Sequence, residues 1–108
     1  MNYYGWKNPY KNSETLAAMM WLCNDKHWTK SYLWCLEWLR KTDGDQIKAA
    51  SGLAKKFEVE IKKGAPFLSG LYGDLLAATI DKIDFLDIAN TFVSVGYVDY
   101  KQEVYKNE

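Results

Sequence analysis

The residues best suited to chemistry lie in the stretch WLCNDKHW at positions 21–28, which holds the single histidine, His27, with Cys23 and Asp25. On one continuous helix, Cys23 and His27 would share a face at i and i+4, the spacing that a metal pair or a Cys-His dyad needs. However, Asn and Asp side chains compete with helical hydrogen bonding, so Asn24 and Asp25 predict a break. We therefore predict a corner between two helices, with no metal bound.

A second group of candidates consists of aspartates. Asp81, Asp84 and Asp87 recur every three residues, and Asp74 lies one predicted helix earlier. Two such carboxylates can act as general acid and base or hold Mg²⁺, but these positions at the end of one helix and the start of the next also suit capping. The sequence has no glycine-rich phosphate loop and no nucleophile-elbow serine. We expect no catalytic site, no cofactor and no enzymatic activity.

The composition is that of one globular domain with many aromatic residues. A chain of 108 residues, 48% of them hydrophobic, buries roughly two-thirds of its unfolded surface. Fourteen basic residues balance fourteen acidic ones, so no overall field favours nucleic acid or an anionic membrane. The two cysteines, the absence of a signal-peptide pattern and the shortness of the apolar runs predict a soluble protein of the cytoplasm, with no membrane partner.

The spacing of apolar residues predicts an all-α bundle of about five helices. The first begins at Ser13, and its all-apolar run LAAMMWLC predicts the central, most buried helix. Ile47 is expected on the apolar face of the third helix, and Pro66 is expected to restart the chain at a first helical position after Gly64. Asn12 or Ser13, Asp45 and Asp84 are predicted N-caps. The other helices are predicted from about 26 to 41, 45 to 63, 70 to 80 and 84 to 93.

The single domain, residues 1–108, divides into three parts. Residues 1–12 form an irregular aromatic arm, 13–93 form the helical core and 94–108 form a variable tail. The tail combines helical spacing of Val93, Tyr97 and Tyr100 with many strand formers, and we favour helix there.

The aromatic surplus is the strongest indication of function. Five Trp and eight Tyr exceed what a small core accommodates, and surface Trp and Tyr often anchor protein interfaces. Trp34 and Trp38 lie on the shoulder of the apolar stripe of the second helix and, with Trp6 and Tyr10 of the arm, are the predicted protein-binding residues. Two alternatives stay open: the arm covers Trp34 and Trp38, or a homodimer buries them.

The third predicted helix carries the most basic surface. Residues 40–63 hold seven basic and four acidic side chains. Nucleic-acid binding is therefore an alternative function, with tryptophan available to stack on bases. The residues that would carry it are Lys48, Lys55, Lys56, Lys62 and Lys63.

Three blocks of the sequence occur in the order seen in one protein family. They are YGWKN with ET and WLCND near the N-terminus, AP with GLYGDLL in the middle, and IDFLDIA after it. With these blocks, residues 3–93 resemble a family of small proteins from phages, plasmids and archaeal mobile elements. The chain departs from the family pattern in a short insertion before Glu14 and in Leu16, where the family has tryptophan.

The resemblance implies a genomic setting and no reaction, ligand or catalytic residue. Together with the aromatic surplus, it leads us to expect a non-enzymatic protein-binding module of a phage or mobile element in the host cytoplasm. The expected partner is a host protein. Occlusion of a defence nuclease, in the manner of anti-CRISPR or antirestriction proteins, is the most concrete version of this hypothesis.

Overall fold

The computed structural model describes residues 10–106, and this part of the chain forms five α-helices without a strand. The helices are α1 (Ser13–Leu22), α2 (Trp28–Lys41), α3 (Gln46–Gly64), α4 (Gly70–Asp81) and α5 (Phe85–Lys106). The all-α prediction is confirmed. Residues 1–9, which include most of the predicted aromatic arm, lie outside the described part.

Three helix starts are fixed by the caps that the sequence predicts. Asn12 precedes α1, Asp45 precedes α3 and Asp84 precedes α5. Each side chain accepts a hydrogen bond from the backbone amide three residues further on, at 2.8, 3.0 and 3.0 Å respectively. These bonds satisfy amides that would otherwise lack a partner in the first turn. The second helix begins later than predicted, at Trp28.

The core lies where α2, α3 and α5 pack against one another. The five largest fully buried side chains belong to these three helices; they are Phe57, Phe92, Leu39, Leu53 and Ile88. A chain of aromatic contacts crosses the three helices. Trp28 stacks on Phe92 with ring centroids 5.5 Å apart, Phe92 meets Phe57 at 5.2 Å, and Phe57 meets Trp34 at 6.2 Å.

Two glycines let these helices approach closely. A Cβ atom on Gly52 of α3 would overlap the indole ring of Trp38 on α2. A Cβ atom on Gly96 of α5 would lie 2.8 Å from the Cys35 Sγ atom. Side-chain volume at either glycine would therefore push the neighbouring helix outward.

The first helix lies at the edge of the core, so the prediction that it is the central helix is wrong. Met20 and Trp21 are 54% and 50% exposed. The apolar run indicates several apolar faces, but within residues 10–106 only the face with Thr15, Leu16, Ala18 and Leu22 is buried. The buried Thr15 joins α1 to the start of α5: its Oγ1 accepts a hydrogen bond from the Asp84 amide at 2.9 Å and donates one to Asn12 Oδ1 at 2.7 Å.

Two further expectations are corrected. Ile47 is 84% exposed, because the buried face of α3 is centred on Ala49, Ala50, Leu53 and Phe57, roughly 100° around the helix from Ile47. Residues 66–69 are not helical, so the expectation that Pro66 occupies a first helical position is wrong. The start of the fourth helix at about residue 70 is confirmed, since α4 begins at Gly70.

The segment from residue 94 continues α5 as far as Lys106, so the preference for helix over strand is confirmed. It is also part of the packed body. Tyr100 is buried, and a Cβ atom on Gly44 would lie 2.8 Å from its ring. Gly44 has a φ of 79°, a left-handed conformation that glycine adopts without strain.

Helix α4 differs from the other four in having no buried residue. Leu71, Tyr72 and Leu75 of its apolar arc are 68%, 72% and 53% exposed. This part of the helix therefore lies outside the core formed by α2, α3 and α5. Leu76 and Ile80, further along the same arc, are half-buried.

The Gly52→Ala substitution is expected to lower the free energy of unfolding by about 1–3 kcal/mol, because the added methyl group forces Trp38 away from α3. Gly64→Ala is the matched control, since nothing lies within 4 Å of a Cβ atom there. Urea unfolding measures both. Equal stability of the two variants would contradict the close packing of α2 on α3.

Candidate functional site

The stretch 21–28 forms a corner, as predicted. Asn24 Oδ1 accepts hydrogen bonds from the backbone amides of Lys26 and His27, at 3.1 and 3.0 Å. The His27 ring stacks on Trp21 with centroids 3.8 Å apart, and Cys23 is half-buried. Between residues 10 and 106, no three His, Cys, Asp or Glu side chains are grouped so that they could hold a metal ion.

Of the four candidate aspartates, Asp84 is the one that caps a helix. Asp84 caps α5, and burial together with the neighbouring Asp84 carboxylate raises the pKa of Asp87 above its ordinary value. Asp74 and Asp81 are exposed on α4. Capping accounts for the geometry at the start of α5.

The two predicted anchors on α2 are half-buried between α2 and α3. Trp34 contacts Phe57, and the Lys30 and Lys56 ammonium groups lie 5.1 and 4.8 Å from the centroid of the Trp34 ring. Trp38 packs on Gly52. Both indoles therefore contribute to helix packing, and only part of each ring faces solvent.

The other two predicted anchors belong to the N-terminal arm. Trp6 lies outside the described residues. Tyr10 is half-buried, and its hydroxyl donates a hydrogen bond to Thr91 Oγ1 on α5 at 3.4 Å. The last part of the arm is therefore held against α5.

The basic residues of α3 are partly neutralised by the same helix. Lys56 pairs with Glu60 at 3.1 Å, and Lys62 pairs with Glu58 at 3.0 Å. Lys48, Lys55 and Lys63 are exposed. Because surface pairs at i and i+4 are weak, their lysines can still exchange partners.

A site that the residue types alone did not predict is an apolar groove bounded by α1, the end of α3 and α4. Its volume is about 610 Å³, within the usual range for binding pockets. Its apolar walls include Ala17, Trp21, Ile61, Leu76, Ile80 and Ile83.

The groove is acidic where it carries charge. Among the described residues that line it, Glu14 and Glu60 are the only charged ones. A hydrogen bond from Lys56 holds the pKa of Glu60 below its ordinary value, so the carboxylate stays ionised at neutral pH. Because Glu60 is paired with Lys56, the groove combines apolar walls with a negative charge carried chiefly by Glu14.

The sequence did contain a signal for this groove. The all-apolar run of α1 and the wide apolar arc of α4 each offer more faces than a core of three other helices covers. The spacing of apolar residues identifies those faces, but it does not determine which of them pack against other helices of the chain.

None of the helices within residues 10–106 is both long and apolar enough to cross a membrane. Comparison of the chain with protein-family models, curated proteins and solved structures gave no match.

The two cysteines are expected to differ strongly in reactivity. Cys35 is fully buried, its thiol donates to the Phe92 carbonyl oxygen at 3.3 Å, and burial raises its pKa to about 11. A raised pKa leaves the thiol protonated at pH values below it, and the thiolate is the reactive form. The pKa of the half-buried Cys23 is also raised by burial, but its side chain is accessible.

At about pH 8, iodoacetamide should modify Cys23 and leave Cys35 intact until denaturant opens the fold. Mass spectrometry of the digested protein measures both sites. Equal rates at Cys23 and Cys35 in the folded protein would contradict the placement of Cys35 between α2 and α5.

Proposed function

We propose that this protein is a non-enzymatic module that binds a segment of another protein in the groove between α1, α3 and α4. The observation that supports this function is the groove itself, an open apolar concavity with Trp21 in its wall. Removing apolar surface from water contributes roughly 2.5 kcal/mol per 100 Å². A few apolar side chains of a partner, inserted into the groove, would therefore supply a large part of the free energy of binding.

The charge of the groove indicates the chemistry of the partner. Glu14 favours a segment that carries a Lys or Arg beside its apolar anchors, because complementary charge steers association and selects partners. Glu60 is already paired with Lys56 and contributes less. Trp21 adds a large aromatic surface that is half-exposed, and tryptophan is enriched among the residues that dominate interface energies. Trp34 and Trp38 are secondary anchors in this proposal, since each has part of its ring in the helix packing.

The family resemblance supplies the biological setting of the proposal. A small protein of a phage or mobile element meets host proteins in the host cytoplasm, and binding can act there simply by covering a functional surface. Occlusion of a host defence protein, of the anti-CRISPR or antirestriction kind, is the most specific form of the proposal. It rests on the resemblance together with the groove.

A second candidate function is nucleic-acid binding by the face shared by α2 and α3. It is favoured by the two lysines, Lys30 and Lys56, beside the partly exposed Trp34 ring. Such an arrangement offers a stacking surface next to cations that can meet phosphates. The net charge of zero and the glutamates paired with Lys56 and Lys62 count against it.

The groove is tested by filling it. Ala17 is exposed in the groove wall, so Ala17→Arg places a long side chain there without disturbing the core. Ser51→Arg, on the exposed face of α3, is the matched control. In affinity capture from host lysate, the wild type and Ser51→Arg should retain the same host protein, and Ala17→Arg should retain at most about a tenth as much. Equal capture by Ala17→Arg, or no capture by the wild type, would overturn the proposal.

The second candidate function predicts retardation of labelled single-stranded DNA or RNA at low ionic strength that collapses as salt rises. Replacing Lys48, Lys55 and Lys63 with Gln should reduce it. Our primary proposal predicts no retardation even in low salt. Strong, salt-sensitive retardation would favour the second candidate.

A further inference from the structure

The outward face of α4 and the residues just before it form an exposed apolar surface, which we call the α4 stripe. It consists of Phe67, Leu68, Leu71, Tyr72 and Leu75, which are 96%, 44%, 68%, 72% and 53% exposed. Within α4, Leu71 and Leu75 lie four residues apart in one row with Tyr72 beside them, an arrangement with which helices pack against each other. Phe67 and Leu68 belong to the non-helical segment that leads into the helix.

A glycine in α4 fixes how the preceding segment meets the helix. A Cβ atom on Gly73 would overlap the carbonyl oxygen of Leu68, so glycine at this position lets the chain before α4 fold closely against its first turns. The segment that carries Phe67 and Leu68 thus meets the helix that carries Leu71 and Tyr72.

Helix α4 is too short and too little covered to depend on its own chain alone. It has twelve residues and none of them is buried, and isolated helices of that length are marginal in water. Leu76 and Ile80 line the groove at one edge of the wide apolar arc of α4, while the α4 stripe forms the other, exposed edge. An apolar arc that its own chain covers along only one edge leaves the other edge available to a partner.

The area of the α4 stripe suits a symmetric dimer. The fractional exposures correspond to roughly 600 Å² of mostly apolar surface, at the upper end of what monomeric proteins expose. Two such surfaces in contact bury about 1,200 Å², which reaches the lower limit for a specific interface.

We infer that a second copy of this chain covers the α4 stripe, so that the protein is a dimer with its twofold axis at α4. The five side chains of the stripe carry no charge, so two copies meet without like charges inside the contact. A second copy is also available whenever the protein is present, before any other partner is met. This contact differs from a dimer that buries Trp34 and Trp38.

The α4 stripe and the groove use different residues of α4. The groove is lined by Leu76, Thr79 and Ile80, whereas the stripe ends at Leu75. Leu76 and Thr79 lie one turn beyond Tyr72 and Leu75, so the two surfaces adjoin, and the dimer is tested independently of what the groove binds.

Sedimentation of the full chain over a range of micromolar concentrations tests the inference. The wild type is expected to be dimeric. Leu71→Lys should weaken dimerisation by on the order of tenfold or more, because it places a charge in an apolar contact on both copies. Tyr72→Lys should act in the same direction. Val98→Lys is the control, since Val98 is 58% exposed on α5, and it should remain dimeric.

Circular dichroism of each variant at high concentration checks that the core helices are retained. If one variant fails to fold, the oligomeric state of the wild type still tests the inference. A wild type that stays monomeric throughout would overturn the inference. So would a dimer that both Leu71→Lys and Tyr72→Lys leave intact, or one that Val98→Lys disrupts equally. Capture of a host protein by the groove has no bearing on these outcomes.

Discussion

The contact between Trp38 and Gly52 is the constraint on which the rest of the structure depends. Because α3 has no side chain at this point, the indole of α2 lies directly on its backbone and the two helices come close together. Gly96 gives α5 the same freedom beside Cys35. The three helices then enclose Phe57 and Phe92, whose rings connect α3 and α5.

This close packing of α2, α3 and α5 leaves α1 and α4 with apolar faces that the core does not cover. Helix α1 is held through Thr15 and Leu22, while Trp21 stays half-exposed. Helix α4 has its inner side along the groove and its outer side in solvent. The surfaces that we propose for binding and for dimerisation both follow from this division between three packed helices and two peripheral ones.

Features of this fold that depend on local interactions are predictable from the sequence, whereas features that depend on long-range packing are not. The caps at Asn12, Asp45 and Asp84 depend on residues a few positions away, so the sequence sufficed to place them. Whether α1 lies inside or outside depends on which faces meet in space, and an all-apolar run such as LAAMMWLC does not encode that. For the same reason Trp34 and Trp38 were recognised as unusual, but their packing on Phe57 and Gly52 was not foreseen.

Native-state hydrogen exchange tests most directly the claim that three helices carry the fold and two build its interaction surfaces. The account predicts the slowest amide exchange in α2, α3 and α5 at every protein concentration. It also predicts that protection of α4 rises with concentration, because a second copy covers it. Protection of α4 that equals the core and does not change with concentration would contradict the account, as would early opening of α3 or α5.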